Sequence, residues 1–141
     1  MPPAMCLLIA AALVGAAAAP AAAIPFAGLL GGPGVTSQLV GFDSAAPSTF
    51  TTTLNITGLR PDDVAVAIGT RPATSEFYAL AETRTSSTTN LYTINTVTGT
   101  AAFVATSSIP LGPGSTDIAF NPVTDTIQAA NNSGQNLNIT R

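Results

Sequence analysis

Proton transfer near neutral pH is the first chemistry to look for, and the residues able to carry it are Asp43, Asp62, Asp63, Glu76, Glu82, Asp117 and Asp125. A general acid and its base must meet across a cleft, as paired carboxylates do in glycoside hydrolysis. Nothing in the spacing of these acids requires such a meeting. Asp62-Asp63 after Pro61 reads as a turn, Asp125 as a hairpin residue, and Asp43 as a strand end, because Asp readily bonds turn backbone. The sequence contains no His and no Lys. That excludes a Ser-His-Asp triad, a Cys-His pair, an imidazole metal site, a Schiff base and a phosphate-loop lysine. Ser and Thr hydroxyls are plentiful but have no base. Cys6, the single cysteine, lies inside an apolar N-terminal run and reads as a small buried hydrophobe.

Ligand chemistry is weighed in the same way. Calcium takes six to eight oxygens from Asp, Asn and carbonyl groups. The Asn121-Pro-Val-Thr-Asp125 turn and the Asn131-Asn132-Ser133-Gly134 loop offer such oxygens without the alternating Asp pattern of a dedicated loop. Gly32-Pro33-Gly34 and Gly112-Pro113-Gly114 lack a following helix and a lysine, so they read as flexible connections and not as phosphate cradles. Tyr78 and Tyr92 are candidates for a sugar-stacking platform, but core positions with satisfied hydroxyls are the better reading. Phe77 and Tyr78, adjacent on a strand, face opposite sides. Asn55-Ile-Thr57, Asn131-Asn-Ser133 and Asn138-Ile-Thr140 fit the glycosylation acceptor pattern, which chance supplies in a chain rich in Asn, Thr and Ser. The expectation is no catalytic, cofactor-binding or metal-ligating residue, and no cofactor.

The bulk composition narrows the partners. The chain has 141 residues, net charge −3, 8% charged and 46% hydrophobic residues, which suits one domain and neither a disordered tail nor a coiled coil. A sequence pI near 4.3 without a basic cluster makes nucleic acid a poor partner.

The elements that must hold these residues begin with an address. No charged side chain occurs from Met1 to Phe42, and Met5 to Val14 forms an apolar core of signal-peptide length. Ala21-x-Ala23 offers a small-x-small cleavage site, so residues 1–23 are expected to be a helical signal segment and the mature chain to begin near Ile24. The usual basic residue before the apolar core is missing. An uncleaved anchor is the alternative, since Ala4 to Ala23 just reaches membrane-spanning length. Secretion to the cell exterior follows, with membrane contact through this segment alone and an unknown extracellular or cell-surface partner.

Residues 24–37 read as a Gly/Pro linker. From residue 38 to 141, short runs rich in Thr, Val, Ile, Phe and Tyr alternate with Gly, Pro, Asn and Asp punctuation. Strands are expected at 37–43, 50–56, 64–69, 76–82, 90–95, 101–106, 116–121, 126–130 and 136–140. Arg71-Pro-Ala-Thr74 superimposes on Asn121-Pro-Val-Thr124 at an offset of 50 residues, and Leu39, Leu91 and Leu137 head a second echo. A period of about 50 residues holding four strands is that of a propeller blade. The fold class is therefore all-β, with about two to two and a half propeller-like blades. Rings need four blades or more, so the expected state is an incomplete ring and a truncated repeat domain.

The order of motifs carries a resemblance. Leu39-Val-Gly-Phe-Asp-Ser, Ile56-Thr-Gly-Leu59, Arg71-Pro-Ala-Thr74, Phe77-Tyr-Ala-Leu80, Leu91-Tyr-Thr-Ile-Asn95, Thr98-Gly-Thr-Ala101, Ala119-Phe-Asn-Pro122 and Gly134-Gln-Asn-Leu137 together resemble the domain of unknown function 4394. The resemblance spans about residues 38–141 and implies exported, propeller-type repeat proteins, with no catalytic or binding residue to carry over. The family pattern has Asp-Phe where this chain has Gly69-Thr70, Gly at Ser75, and Arg at Gln128 and Asn138. Each of the last two removes a charge. The function expected is a secreted, noncatalytic β-repeat domain acting as a structural or interaction module. The alternative is an enzyme-associated or glycan- or calcium-binding propeller whose functional residues lie in further blades.

Overall fold

The computed structural model describes residues 23–139 apart from 33, 34, 87 and 108, and the segment expected to be a signal lies outside them except for Ala23. Among the described residues there are ten strands and no helix. They are β1 (Pro25–Gly32), β2 (Val35–Asp43), β3 (Ala46–Asn55), β4 (Asp63–Thr70), β5 (Phe77–Thr83), β6 (Thr89–Ile94), β7 (Ala101–Ser107), β8 (Thr116–Phe120), β9 (Ile127–Asn131) and β10 (Asn136–Ile139). Every expected strand is present. The strand missed is β1, which corrects the expected linker over 24–37. Its Gly and Pro content hid a hairpin partner of β2, paired from Pro25↔Asp43 through Leu29↔Leu39. Pro25 is the first residue of that strand, a position where a missing N–H is tolerated.

The strands form three antiparallel sheets, and none of them closes on itself. The orders are β1-β2-β3, β4-β5-β6-β7 and β8-β9-β10, so each strand pairs with its neighbours along the chain. The repeat is visible in the register. Phe77↔Ile94 and Ala79↔Tyr92 in the central sheet correspond to Ile127↔Ile139 and Ala129↔Leu137 in the third. Phe26↔Phe42 and Leu29↔Leu39 in the first sheet correspond to Phe77↔Ile94 and Leu80↔Leu91. One echo is thereby corrected: Leu137 takes the place of Tyr92, not of Leu91. A one-residue slip turns every side chain to the other face, and Leu137 packs towards the central sheet as Tyr92 packs towards the first. By this register, among the described residues, the first sheet has no counterpart of β4 and the third has no counterpart of β7.

Alternation along the central sheet fills two cores. Ala79, Ala81, Tyr92 and Ile94 pack with Leu39 and Ile56 on the side of the first sheet. Tyr78, Leu80 and Leu91 pack with Ile118, Phe120, Ile127 and Ile139 on the side of the third. A bulge between Ala65 and Ala67 lets those two alanines serve opposite cores, because an extra residue resets the period-two alternation. Phe77 and Tyr78 fall on opposite faces as expected, and the Tyr78 ring meets Phe120 at 5.1 Å. A fully buried Leu or Ile contributes about 1.5–3 kcal/mol, so these two layers of contact hold the sheets together.

Candidate functional site

Three places gather polar side chains. The first is the buried end of the central sheet. Asp63 opens β4 where the chain leaves Asp62, whose φ of 67° is of the kind Asp adopts in turns. The Asp63 carboxylate accepts hydrogen bonds from Thr83 Oγ1, from Asn90 Nδ2 at 2.8 Å and from the Tyr92 hydroxyl. Tyr92 in turn accepts from the Arg60 backbone N–H at 3.2 Å. Thr106 Oγ1 donates to Asn90 Oδ1 at 2.7 Å, and the Arg60 guanidinium lies 3.5 Å from the centre of the Phe103 ring. Burial first, and the hydrogen bond to Asp63 second, raise the Tyr92 pKa above the ordinary tyrosine value. The cluster is thus a closed polar network that ties four strands, with Tyr92 donating and not titrating near neutrality. This is the satisfied core hydroxyl expected for a tyrosine, whereas Asp63 is more than the turn residue the sequence suggested.

The second place is a turn that occurs three times. In residues 71–76, 95–100 and 121–126 the first backbone N–H donates to the sixth carbonyl at 2.9 Å, and the fifth N–H donates to the first carbonyl at 2.8–2.9 Å. The fifth residue takes positive φ each time: 58° at Ser75, 75° at Gly99 and 55° at Asp125. Asn95 and Asn121 brace their turns alike, each Oδ1 accepting the N–H groups two and three residues on. Pro72 and Pro122 therefore sit in the same setting. Arg71 replaces the asparagine in the remaining copy and reaches the next sheet instead, where its Nε donates to Asp125 Oδ1 at 2.9 Å. Glu76 joins it at 3.4 Å. The hydrogen bond to Asp125 raises the Arg71 pKa above the ordinary arginine value, so this cation is permanent.

The third place is a cleft of about 590 Å³ where β1, β4, the end of β5 and the start of β8 converge. Leu29, Val64 and Val66 form apolar wall, and Glu82, Arg84 and Thr116 supply polar groups. Its size falls within the range of small-molecule sites. No motif marks this cleft in advance, because Glu82 and Thr116 come from strands of different sheets.

The remaining candidates are occupied by local structure. Asn131 Oδ1 accepts from the Ser133 and Gln135 N–H groups, and Asn121 Oδ1 is taken as described, so the loop oxygens weighed for calcium brace their own turns. Among the described residues no group of three or more acidic, Cys or His side chains is placed to share a metal. Gly112 packs on the 131–135 loop, its N–H donating to Gln135 Oε1 at 2.7 Å. Asp43 Oδ1 caps its own turn through the Ala45 N–H. Gln128 and Asn138, where the sequence departs from the resembled pattern, are direct cross-strand partners on an exposed face.

The motifs that carried the resemblance are thus structural parts. Ile56-Thr-Gly-Leu59 bridges the first sheet to the central one through the Thr57↔Thr100 pair, with Ala101 N–H donating to Thr57 O at 2.7 Å. Gly58, at φ 81°, lies where a Cβ would come within 2.7 Å of the Ala101 carbonyl. Arg71-Pro-Ala-Thr74 and Asn121-Pro122 form the linked turns. Comparison with known proteins agrees: the family model described as Domain of unknown function (DUF4394) matches residues 38–141. Searches of curated proteins and of solved structures return no match. With the match covering most of its length and its motifs accounted for, the chain belongs to the domain of unknown function 4394 family.

Proposed function

We propose that this protein is an exported, noncatalytic repeat module with a structural or interaction role at the cell exterior, and that its sheets are blades of an incomplete propeller-like ring. The observation that carries this reading is the Arg71–Asp125 pair between corresponding turns of consecutive sheets. Polar chemistry here joins one repeat to the next. The blade reading is supported by the sequential order of the four-stranded sheet and by contact between β4 and β8, which are equivalent strands of successive repeats. Such strands line the axis when blades pack face to face. Export is supported by the position of β1, which begins at Pro25, so cleavage after Ala23 removes no strand residue. N-terminal sequencing of the exported product should begin near Ile24, and a product starting at Met1 would refute cleavage.

A second reading, a ligand-binding module, has the cleft in its favour. A binding screen of the exported full chain against soluble glycans and cell-wall polymers, with and without calcium, separates the two. Binding that Val66→Trp abolishes assigns the ligand to the cleft. Binding to polymer that this substitution leaves unchanged supports a surface interaction module, and turnover of any glycan in the screen overturns the noncatalytic reading.

A further inference from the structure

The first sheet has one face against the central sheet, formed by Leu29, Leu39 and Leu54. Its other face carries a row of three phenylalanines. Phe26 is the cross-strand partner of Phe42, and Phe42 is the partner of Phe50. The Phe26 and Phe42 rings stack with centroids 5.7 Å apart and planes 15° from parallel. Phe26 and Phe50 remain 49% and 50% exposed, and Leu30 on the same face 41%. No charged side chain stands on this face, and none occurs in the sequence before Asp43. In the central sheet the positions corresponding to Phe26 and Phe42 are Phe77 and Ile94, and both are covered by the first sheet. The phenylalanine row is therefore a sheet-packing face, and no sheet lies on it among the described residues.

The opposite end of the stack shows what can cover it. The outward face of the third sheet presents Asp117, Gln128, Asn136 and Asn138, all exposed. The corresponding central-sheet positions are Ala67, Tyr78, Leu91 and Thr93. Head-to-tail stacking of two copies would press a carboxylate and three amides onto phenylalanine rings. Unpartnered burial of such groups is strongly unfavourable. Pairing the phenylalanine row with itself puts carbon against carbon.

We infer that two copies of this chain associate two-fold through the outer face of the first sheet, leaving the polar third sheets outermost. The arrangement is isologous and closes at two, so no filament results. Three strands of eight to ten residues span about 27 Å by 14 Å at the usual rise and spacing. That footprint, about 380 Å² a side, lies below the standard size of specific interfaces, so the association is of the weak, reversible kind, with an expected dissociation constant in the high micromolar range. The inference does not depend on what the module binds.

Sedimentation equilibrium of the exported full chain across the micromolar range tests it. A monomer–dimer equilibrium is expected, weakened at least about tenfold by Phe50→Glu and unchanged by Asn138→Glu on the opposite face. Thr53→Glu, on the same face as Phe50 and away from either core, should reproduce the weakening if Phe50→Glu disturbs β3. A monomer at every concentration overturns the inference, as does a dimer insensitive to both substitutions. A dimer broken by Asn138→Glu, or a ladder of higher oligomers, overturns it too, since either result requires the polar face.

Discussion

At the scale of single residues, Asp63 carries the largest local consequence. Its carboxylate holds Thr83, Asn90 and Tyr92, so Asp63→Ala strands three donors in a buried setting. The expected loss is about 2–4 kcal/mol in urea denaturation, with Asp63→Asn milder because an amide oxygen still accepts. Tyr92 gives the network a pH dependence. Its folded pKa lies above the unfolded value of 10.0, so its contribution is complete below pH 10 and falls away as pH rises through the folded value. Denaturation midpoints measured from pH 8 upward should drop beyond pH 10 in the native sequence, and Tyr92→Phe should flatten that drop. Ser75 and Asp125 share the left-handed backbone of the recurring turn but not its consequence. Ser75→Gly relieves the strain and should stabilise by about 0.5–1 kcal/mol, whereas Asp125→Gly removes the partner of Arg71 and should destabilise. Thermal melts of the two variants should therefore move in opposite directions. Of this network only the buried, satisfied hydroxyl of Tyr92 was legible beforehand. Asp63 reads as a turn residue because its partners stand 20 to 29 residues away and meet it only through cross-strand register.

At the scale of elements, strand content was legible because Thr, Val and Ile runs between turn residues leave few alternatives to a pleated, half-buried surface. β1 was not, because its packing residues are interspersed with three glycines, Gly28, Gly31 and Gly32. The Pro72 and Pro122 echo succeeded since both prolines serve one turn geometry. The Leu137 echo slipped by a residue since leucine alone does not fix which face a strand presents. Packing between β4 and β8 offers the sharpest element-level test. A Cβ on Gly69 would lie 3.1 Å from the Ile118 side chain and carbonyl, so Gly69→Val forces the two strands apart. A loss of about 1–3 kcal/mol is expected in denaturant titrations, while Val123→Thr, at an exposed turn position, should change little.

At the scale of the whole molecule, the folded unit starts earlier than the family match. The match begins at residue 38, inside β2, whereas β1 pairs along the whole of β2 and touches β4. A chain lacking residues 24–34 should keep most strand signal in circular dichroism yet lose roughly 3 kcal/mol, from the buried area of Leu29 and the ladder it belongs to. It should also lose the cleft wall formed by Leu29.

The meander order of all three sheets has a kinetic side. Because ladder partners are consecutive, each ribbon can zip shut from its own tight corner without a search through distant chain, and folding should be fast for an all-β protein. A polypeptide that crosses a membrane end first would thus acquire its layers in the order of their emergence, with only their stacking left for last.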